Sequence, residues 1–264
     1  MRSRPRRTSR APAGLAALAV LGAGFVLLPV AALLQRAPWS ALADLLGEEV
    51  VGDALGLSLV TATAAAALSV LLGVPLAWVL ARGDFRGRRL LRGAVVLPMV
   101  LPPVVGGAGL LFALGRRGLV GGPLHDATGL VLPYSTWGVV VANTFVALPF
   151  LVVTVEAGIR AVDRRYEDVA ETLGAHPRTV LGRVTLPLAR PAVVAGAVLA
   201  WARALGEFGA TVTFAGNLQG RTQTMPLAVF LALETDRDAA LALSLVLVAT
   251  SLGVLAVLRD RWLG

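Results

Sequence analysis

The sequence predicts an all-α fold: a polytopic bundle of six transmembrane spans with both termini in the cytoplasm. Three observations predict it. Only 15% of the residues are charged, 56% are hydrophobic, and the mean hydropathy is +0.77. A soluble domain carries about 25% charged residues, so this apolar excess has to face something other than water. Five stretches without a single charge, 11–35, 54–81, 93–115, 127–155 and 239–258, reach the length a bilayer core demands, and a sixth, 191–217, is interrupted only by Arg203 and Glu207. A helix rising ~1.5 Å per residue needs about 20 apolar residues to cross ~30 Å of hydrocarbon. Finally, all 24 basic residues are arginine, and they alternate between the two sides that six spans would create.

The spans are expected at about 14–34, 56–80, 94–114, 136–156, 191–213 and 239–258. The first follows an arginine-rich tail, residues 1–13, as a secretory signal would. Its apolar stretch, 11–35, exceeds the ~7–15 residues of a cleavable segment, so a retained helix is the primary reading and a cleaved signal the alternative. The tail, the 82–92 loop, the 157–190 loop and the C-terminus hold 18 arginines, against 5 on the other side. Such an excess marks the cytoplasmic side. This alternation also answers the pI of 11.4, which would otherwise invite nucleic acid as a partner. The arginines orient the chain toward lipid, and no nucleic-acid partner is expected.

The third span is punctuated by Pro98, Pro102 and Pro103 and by Gly106, Gly107 and Gly109. Proline removes a backbone donor and kinks a helix, and in membranes the freed carbonyls are tolerated inside protein or beside a water-filled cavity. Such a helix suits the wall of a pathway that changes shape, although helix packing is the first explanation of the small residues. In the fifth span, Arg203 and Glu207 are four apart and share a helical face. Charges inside a span mark a functional site by default. Two roles stay open: a buried pair fixing helix register, or an anion contact at Arg203 with Glu207 holding it. Thr211, Thr213 and Asn217 add uncharged polar groups, and Gly206 and Gly209 flank Phe208 where the backbone can bend.

Residues 156–190 form the one long segment expected on the inner side. Ile159, Val162, Tyr166, Val169, Ala170 and Leu173 recur at helical spacing, with Arg164, Arg165, Glu167, Asp168 and Glu171 opposite. Gly174 suits a left-handed cap, and His176-Pro177 starts a second short helix running through Val180, Leu181 and Val184 to Leu186-Pro187. Two helices about a glycine turn are either an interfacial loop or a docking element for another protein.

Chemistry is limited by what the chain lacks. There is no cysteine, hence no disulfide, thiolate nucleophile or cysteine-bound zinc, and His125 and His176 alone supply no histidine-rich metal site. No Ser/His, paired-Asp or His-Glu-x-x-His arrangement lies in a span, which argues against an intramembrane enzyme. Without lysine, a Gly-x-x-x-x-Gly-Lys-Ser/Thr phosphate loop is impossible.

Residues Glu167-Asp168-Val169-Ala170-Glu171-Thr172-Leu173-Gly174, followed by Leu186-Pro187, resemble the EAA loop of permease subunits of bacterial ABC importers. That pattern reads Glu-Ala-Ala, three residues, Gly, then Leu-Pro. Here Asp168 stands for Glu and Val169 for the first Ala, while Ala170 and Gly174 match. Residues 202–214, from Ala202-Arg203 through Gly206-Glu207-Phe208-Gly209 to Phe214, are similar to the fifth span of molybdate permeases; sulfate permeases share Gly-Glu-Phe-Gly and then diverge. Residues 97–106, 115–118 and 222–228 add further matches.

The resemblance implies the type I ABC importer permease fold and import of molybdate. It also implies a homodimer of this subunit, a cytoplasmic ATPase dimer that holds the ATP-Mg, and an extracytoplasmic molybdate-binding protein. No cofactor is expected in this chain. Glu167, Asp168, Val169, Ala170, Gly174, Leu186 and Pro187 would form the ATPase-coupling loop. Pro102, Pro103, Gly106, Arg203, Glu207, Thr211 and Thr213 are the expected translocation-pathway residues. The alternatives are a sulfate, thiosulfate or tungstate permease of the same class, and an ion-gradient-driven secondary transporter built on Arg203 and Glu207.

Overall fold

The structure, a computed structural model, describes residues 12–262, which leaves nearly all of the basic tail expected over 1–13, and the side chains of Arg259 and Arg261, outside the description. Among the described residues every regular element is helical. In chain order they are α1 (Ala13–Arg36), α2 (Leu42–Leu46), α3 (Glu49–Arg82), α4 (Arg88–Val100), α5 (Pro103–Leu114), α6 (Gly121–Thr128) and α7 (Thr136–Ala161). Then follow α8 (Arg165–Thr172), α9 (Pro177–Val180), a π-helical turn (Leu181–Thr185), α10 (Leu186–Leu205), α11 (Gly209–Phe214), α12 (Met225–Thr235) and α13 (Arg237–Trp262). Among the described residues, five helices are long and apolar enough to cross a bilayer: α1, α3, α7, the continuous run Pro177–Leu205, and α13. A sixth crossing exists if the bent pair α4 and α5 is counted as one.

The third segment departs from the continuous helix expected over 94–114. It is two helices bent by 118°. Leu101 (ψ 135°) and Pro102 (ψ 130°) are both extended. Each precedes a proline, and the proline ring disfavours helical geometry for the residue before it. Two successive prolines therefore turn a kink into a break, and Pro103 restarts the helix at a first-turn position, where a missing N–H costs nothing.

The fifth segment also differs. Its helix starts at Pro177 rather than at 191, and it ends at Leu205 rather than near 213. The widened turn Leu181–Thr185 lies directly ahead of Pro187, which cannot donate to the carbonyl four residues back; the wide turn carries the helix past it. So the second short helix expected in the inner loop is the end of the fifth helix itself. The first begins at Arg165, because Ile159 belongs to α7 and Val162 caps it in an extended conformation.

Helices α3, α7 and α10 make the main core, through Ala62, Ala65, Ala77, Leu151, Val155, Ile159 and Ala200. Between helices in lipid, close backbone approach through small residues replaces the hydrophobic effect as the adhesive. A Cβ on Gly73 would stand 2.5 Å from Leu151 Cδ2, and one on Gly196 would stand 3.2 Å from the Leu151 carbonyl oxygen. A second cluster joins the start of α3 to α12 and α13 through Val51, Ala54, Met225 and Leu243. There the Met225 N–H donates to the buried Ser58 hydroxyl at 2.7 Å. A third joins α5, α7 and α11 around Val146, Ala210 and Phe214. Helix α1 has no buried residue.

Candidate functional site

Two places gather the residues singled out from the sequence. At the arginine-rich end of the bundle, α8 lies beneath α3 and the π turn. Glu167 points into the protein. Its carboxylate meets Arg82 Nε at 2.9 Å and accepts from the Thr185 hydroxyl at 2.7 Å. Arg82 also donates to the Val162 carbonyl at 2.9 Å. The two side chains are only 9% and 12% exposed, so this is a largely buried clasp joining α8 to α3 and to the fifth helix. Arg82 and Thr185 were not singled out from the sequence, because nothing in a linear pattern pairs Glu167 with residues 85 and 18 positions away.

The rest of α8 faces outward. Tyr166 (60%), Val169 (58%) and Leu173 (83%) are exposed, together with Asp168; Ala170 is half-buried. Gly174 takes φ +83°. Its N–H donates to the Glu171 carbonyl and that of Ala175 to the Ala170 carbonyl, the paired bonds of a Schellman cap. His176 then accepts from the Arg178 N–H through Nδ1, and Pro177 opens the next helix. Leu186 packs against the core, whereas Pro187 is exposed. The arrangement is an apolar ridge held away from the bundle, tied by Glu167 behind and continuous through Pro177–Leu205 with a spanning helix.

A second carboxylate at this end was also missed. Glu156, 2% exposed, bonds Arg160 on its own helix at 2.6 Å and Arg92 of α4 at 3.3 Å. It latches the first half of the broken segment to α7.

The other place lies where α5 meets α11. Helix α10 stops at Gly206, Phe208 is irregular, and α11 starts at Gly209, so the bend falls between the two glycines. Glu207, 1% exposed, accepts from Arg203 at 2.7 Å and from the Ala210 N–H at 2.7 Å. It thus holds the arginine and an otherwise unbonded amide at the start of α11. Arg203 stays 28% exposed. A Cβ on Gly209 would lie 2.9 Å from Pro103 Cβ, and one on Gly107 would lie 2.8 Å from the Ala210 carbonyl oxygen. Gly106 is covered by the Phe145 ring. Pro102 and Pro103 are exposed. The Thr211 hydroxyl is buried and donates to Asn143 of α7 at 3.1 Å, while Thr213 bonds its own helix at Gly209. The structure therefore brings Pro103, Gly106, Glu207, Thr211 and Thr213 into one seam. Of its charged and hydroxyl groups, Arg203 is the one that combines charge with accessibility.

Residues 69–264 match the family described as binding-protein-dependent transport system inner membrane component. The matched region contains both places. The chain belongs to this family. This permease is 52% identical over 233 residues to the molybdenum transport system permease protein ModB of Mycobacterium tuberculosis, covering 88% of each chain. It is 32% identical over 236 residues to a probable sulfate transport system permease protein, cysT, of Anthoceros angustus, covering 88% of this chain and 82% of that one. Two solved structures share its fold. One is a bacterial ABC transporter involved in import of the acidic polysaccharide alginate, with a TM-score of 0.73, 17% identity and 94% of both chains covered. The other is a bacterial alginate ABC transporter in complex with a periplasmic protein carrying an alginate pentasaccharide, with a TM-score of 0.69, 19% identity, and 94% and 95% covered. The protein is thus a multi-pass membrane permease subunit of an ABC importer, with the helical fold expected from its sequence. It is not itself the catalyst.

Proposed function

We propose that this permease moves molybdate inward, as a homodimer driven by a cytoplasmic ATPase dimer and fed by an extracytoplasmic binding protein. The observation that carries the substrate is the contrast between 52% identity to a molybdenum permease and 32% to a sulfate one, over comparable coverage. Sulfate, thiosulfate or tungstate remains the reading to displace by experiment. The family description, binding-protein-dependent transport, supports the binding-protein partner, as does the complex with a periplasmic protein in one structural neighbour.

In this proposal six spans are present, the broken α4–α5 segment counting as one, and both termini lie in the cytoplasm. The α8 ridge docks in a cleft of the ATPase, with Tyr166, Val169 and Leu173 as its apolar contacts. Closing of the ATPase pushes α8, and the Glu167 clasp passes the push to α3 and to the helix Pro177–Leu205. At the far end of that helix is the Gly206–Gly209 bend, which rests on α5. The third and fifth segments of two copies line the path on the dimer axis. A path must hold its ion weakly enough to release it, so Arg203 attracts the dianion without caging it.

The test is uptake into vesicles holding permease, ATPase and binding protein. Molybdate uptake that requires ATP and survives excess sulfate supports the proposal. Uptake driven by a proton or sodium gradient without ATP refutes it, and equal competition by sulfate overturns the substrate assignment.

A further inference from the structure

We propose that the arginine-rich cleft formed by the α3–α4 connection, the start of α4 and the end of α7 is a binding site for the headgroup of an anionic phospholipid. The inference rests on the orientation proposed above, which puts this end of the bundle at the inner leaflet. The cleft has a volume of about 680 Å3 and is lined by Asp84, Phe85, Arg88, Arg89, Leu90, Arg92 and Arg160. It belongs to neither place described above, although it borders the Glu156 latch.

Four guanidiniums converge there, and their commitments are uneven. Arg92 and Arg160 share Glu156, and Arg88 donates to the Gly83 carbonyl at 3.1 Å. Among the described residues the Arg89 guanidinium makes no hydrogen bond or ion pair to protein, and the side chain is exposed. Asp84 is the one carboxylate in the lining. Among the described residues, Asp84 and Glu156 offset two of the four arginines, so the cleft carries surplus positive charge. A guanidinium presents a planar fork of donors that matches phosphate oxygens.

The rim selects between anions. Phe85 is 40% exposed and Leu90 is 80% exposed. Leu97, seven residues beyond Leu90 and so on the same face of α4, is 52% exposed. A free tetrahedral oxyanion would match the guanidiniums and leave these apolar groups in water. A diacyl phospholipid satisfies both, with its phosphate among the arginines and its chains along α4. Basic pockets between span ends on the cytoplasmic side hold anionic headgroups in this way, and each arginine near such a surface strengthens binding about fivefold.

The test uses the assembled transporter reconstituted in equal parts phosphatidylglycerol and phosphatidylcholine, with the lipid retained after mild extraction counted by native mass spectrometry. Wild type should retain phosphatidylglycerol selectively. Arg89→Gln should lower that retention about fivefold and Arg88→Gln/Arg89→Gln about twentyfold, while Arg116→Gln/Arg117→Gln at the opposite end leaves it unchanged. Co-purification of the ATPase confirms that each variant is folded. Equal retention of the two lipids, or the same preference in the double variant, overturns the site. Displacement by 10 mM inorganic phosphate alone overturns the lipid assignment in favour of a free anion. Orientation is read separately from Arg86→Cys, the sole cysteine in such a variant, with an impermeant maleimide. Labelling from outside intact cells would refute the orientation, whatever the lipid result.

Discussion

Replacing Glu167 with alanine tests whether α8 is a lever or a loose loop. The substitution removes the 2.9 Å pair with Arg82 and the 2.7 Å bond from Thr185. Breaking one partner of a buried pair costs roughly 3–5 kcal/mol, because the other charge is left unpaired. Two features lower this figure here: Arg82 keeps its bond to the Val162 carbonyl, and both side chains retain about a tenth of their exposure. The lost Thr185 bond adds roughly 0.5–1.5 kcal/mol. A total of about 3 kcal/mol results, and it falls on the docking of α8 against α3 and the π turn rather than on membrane insertion. That is about a hundredfold in the equilibrium between docked and released α8. Hydrogen exchange of the Arg165–Thr172 amides in the assembled transporter should quicken by that order, and ATP should be hydrolysed with less molybdate carried per cycle. Glu167→Gln, which keeps an acceptor for Thr185, should fall between. Unchanged exchange and unchanged coupling in Glu167→Ala would refute the clasp.

Arg203→Ala should destabilise the protein by about 3 kcal/mol by leaving Glu207 buried and unpaired, and Arg203→Ala/Glu207→Gln should recover most of it; thermal unfolding in detergent measures both. Uptake that returns in the double variant makes the pair structural, and uptake that stays absent in a stable double variant makes Arg203 the anion contact. Gly174→Val should cost about 1–2 kcal/mol in the Schellman cap, since φ is +83° while nothing crowds the position, and should uncouple uptake with insertion intact. Normal uptake would exclude docking through this turn. Gly107→Ala, whose methyl would press on the Ala210 carbonyl, should lower the melting temperature, whereas Gly109→Ala, with open space around it, should not. Glu156→Gln should loosen α4 from α7, seen as faster exchange in α4 alone.

That this chain lives in a bilayer, roughly where its apolar segments run, and which stretch resembles a docking loop were all legible before any helix was placed. Composition and uninterrupted apolar length decide those matters, and both are local. The sequence also located the Gly174 turn and the bend near Phe208, because glycine at those points admits backbone conformations that other residues resist. Whether a proline-rich segment kinks or breaks was a tertiary matter: Pro102 and Pro103 permit a 118° turn, and α7 and α11 supply the surfaces that receive the second half. The partners of the buried charges were equally beyond a linear reading. Glu167 belongs to the loop motif, yet it faces Arg82 and Thr185 inside the protein rather than anything beyond it. Glu156 reads as the end of a span and turns out to hold α4. Thr211, expected along the translocation pathway, is committed to Asn143. A buried polar group must find its complement wherever packing brings one, and only the folded chain says which helix that is.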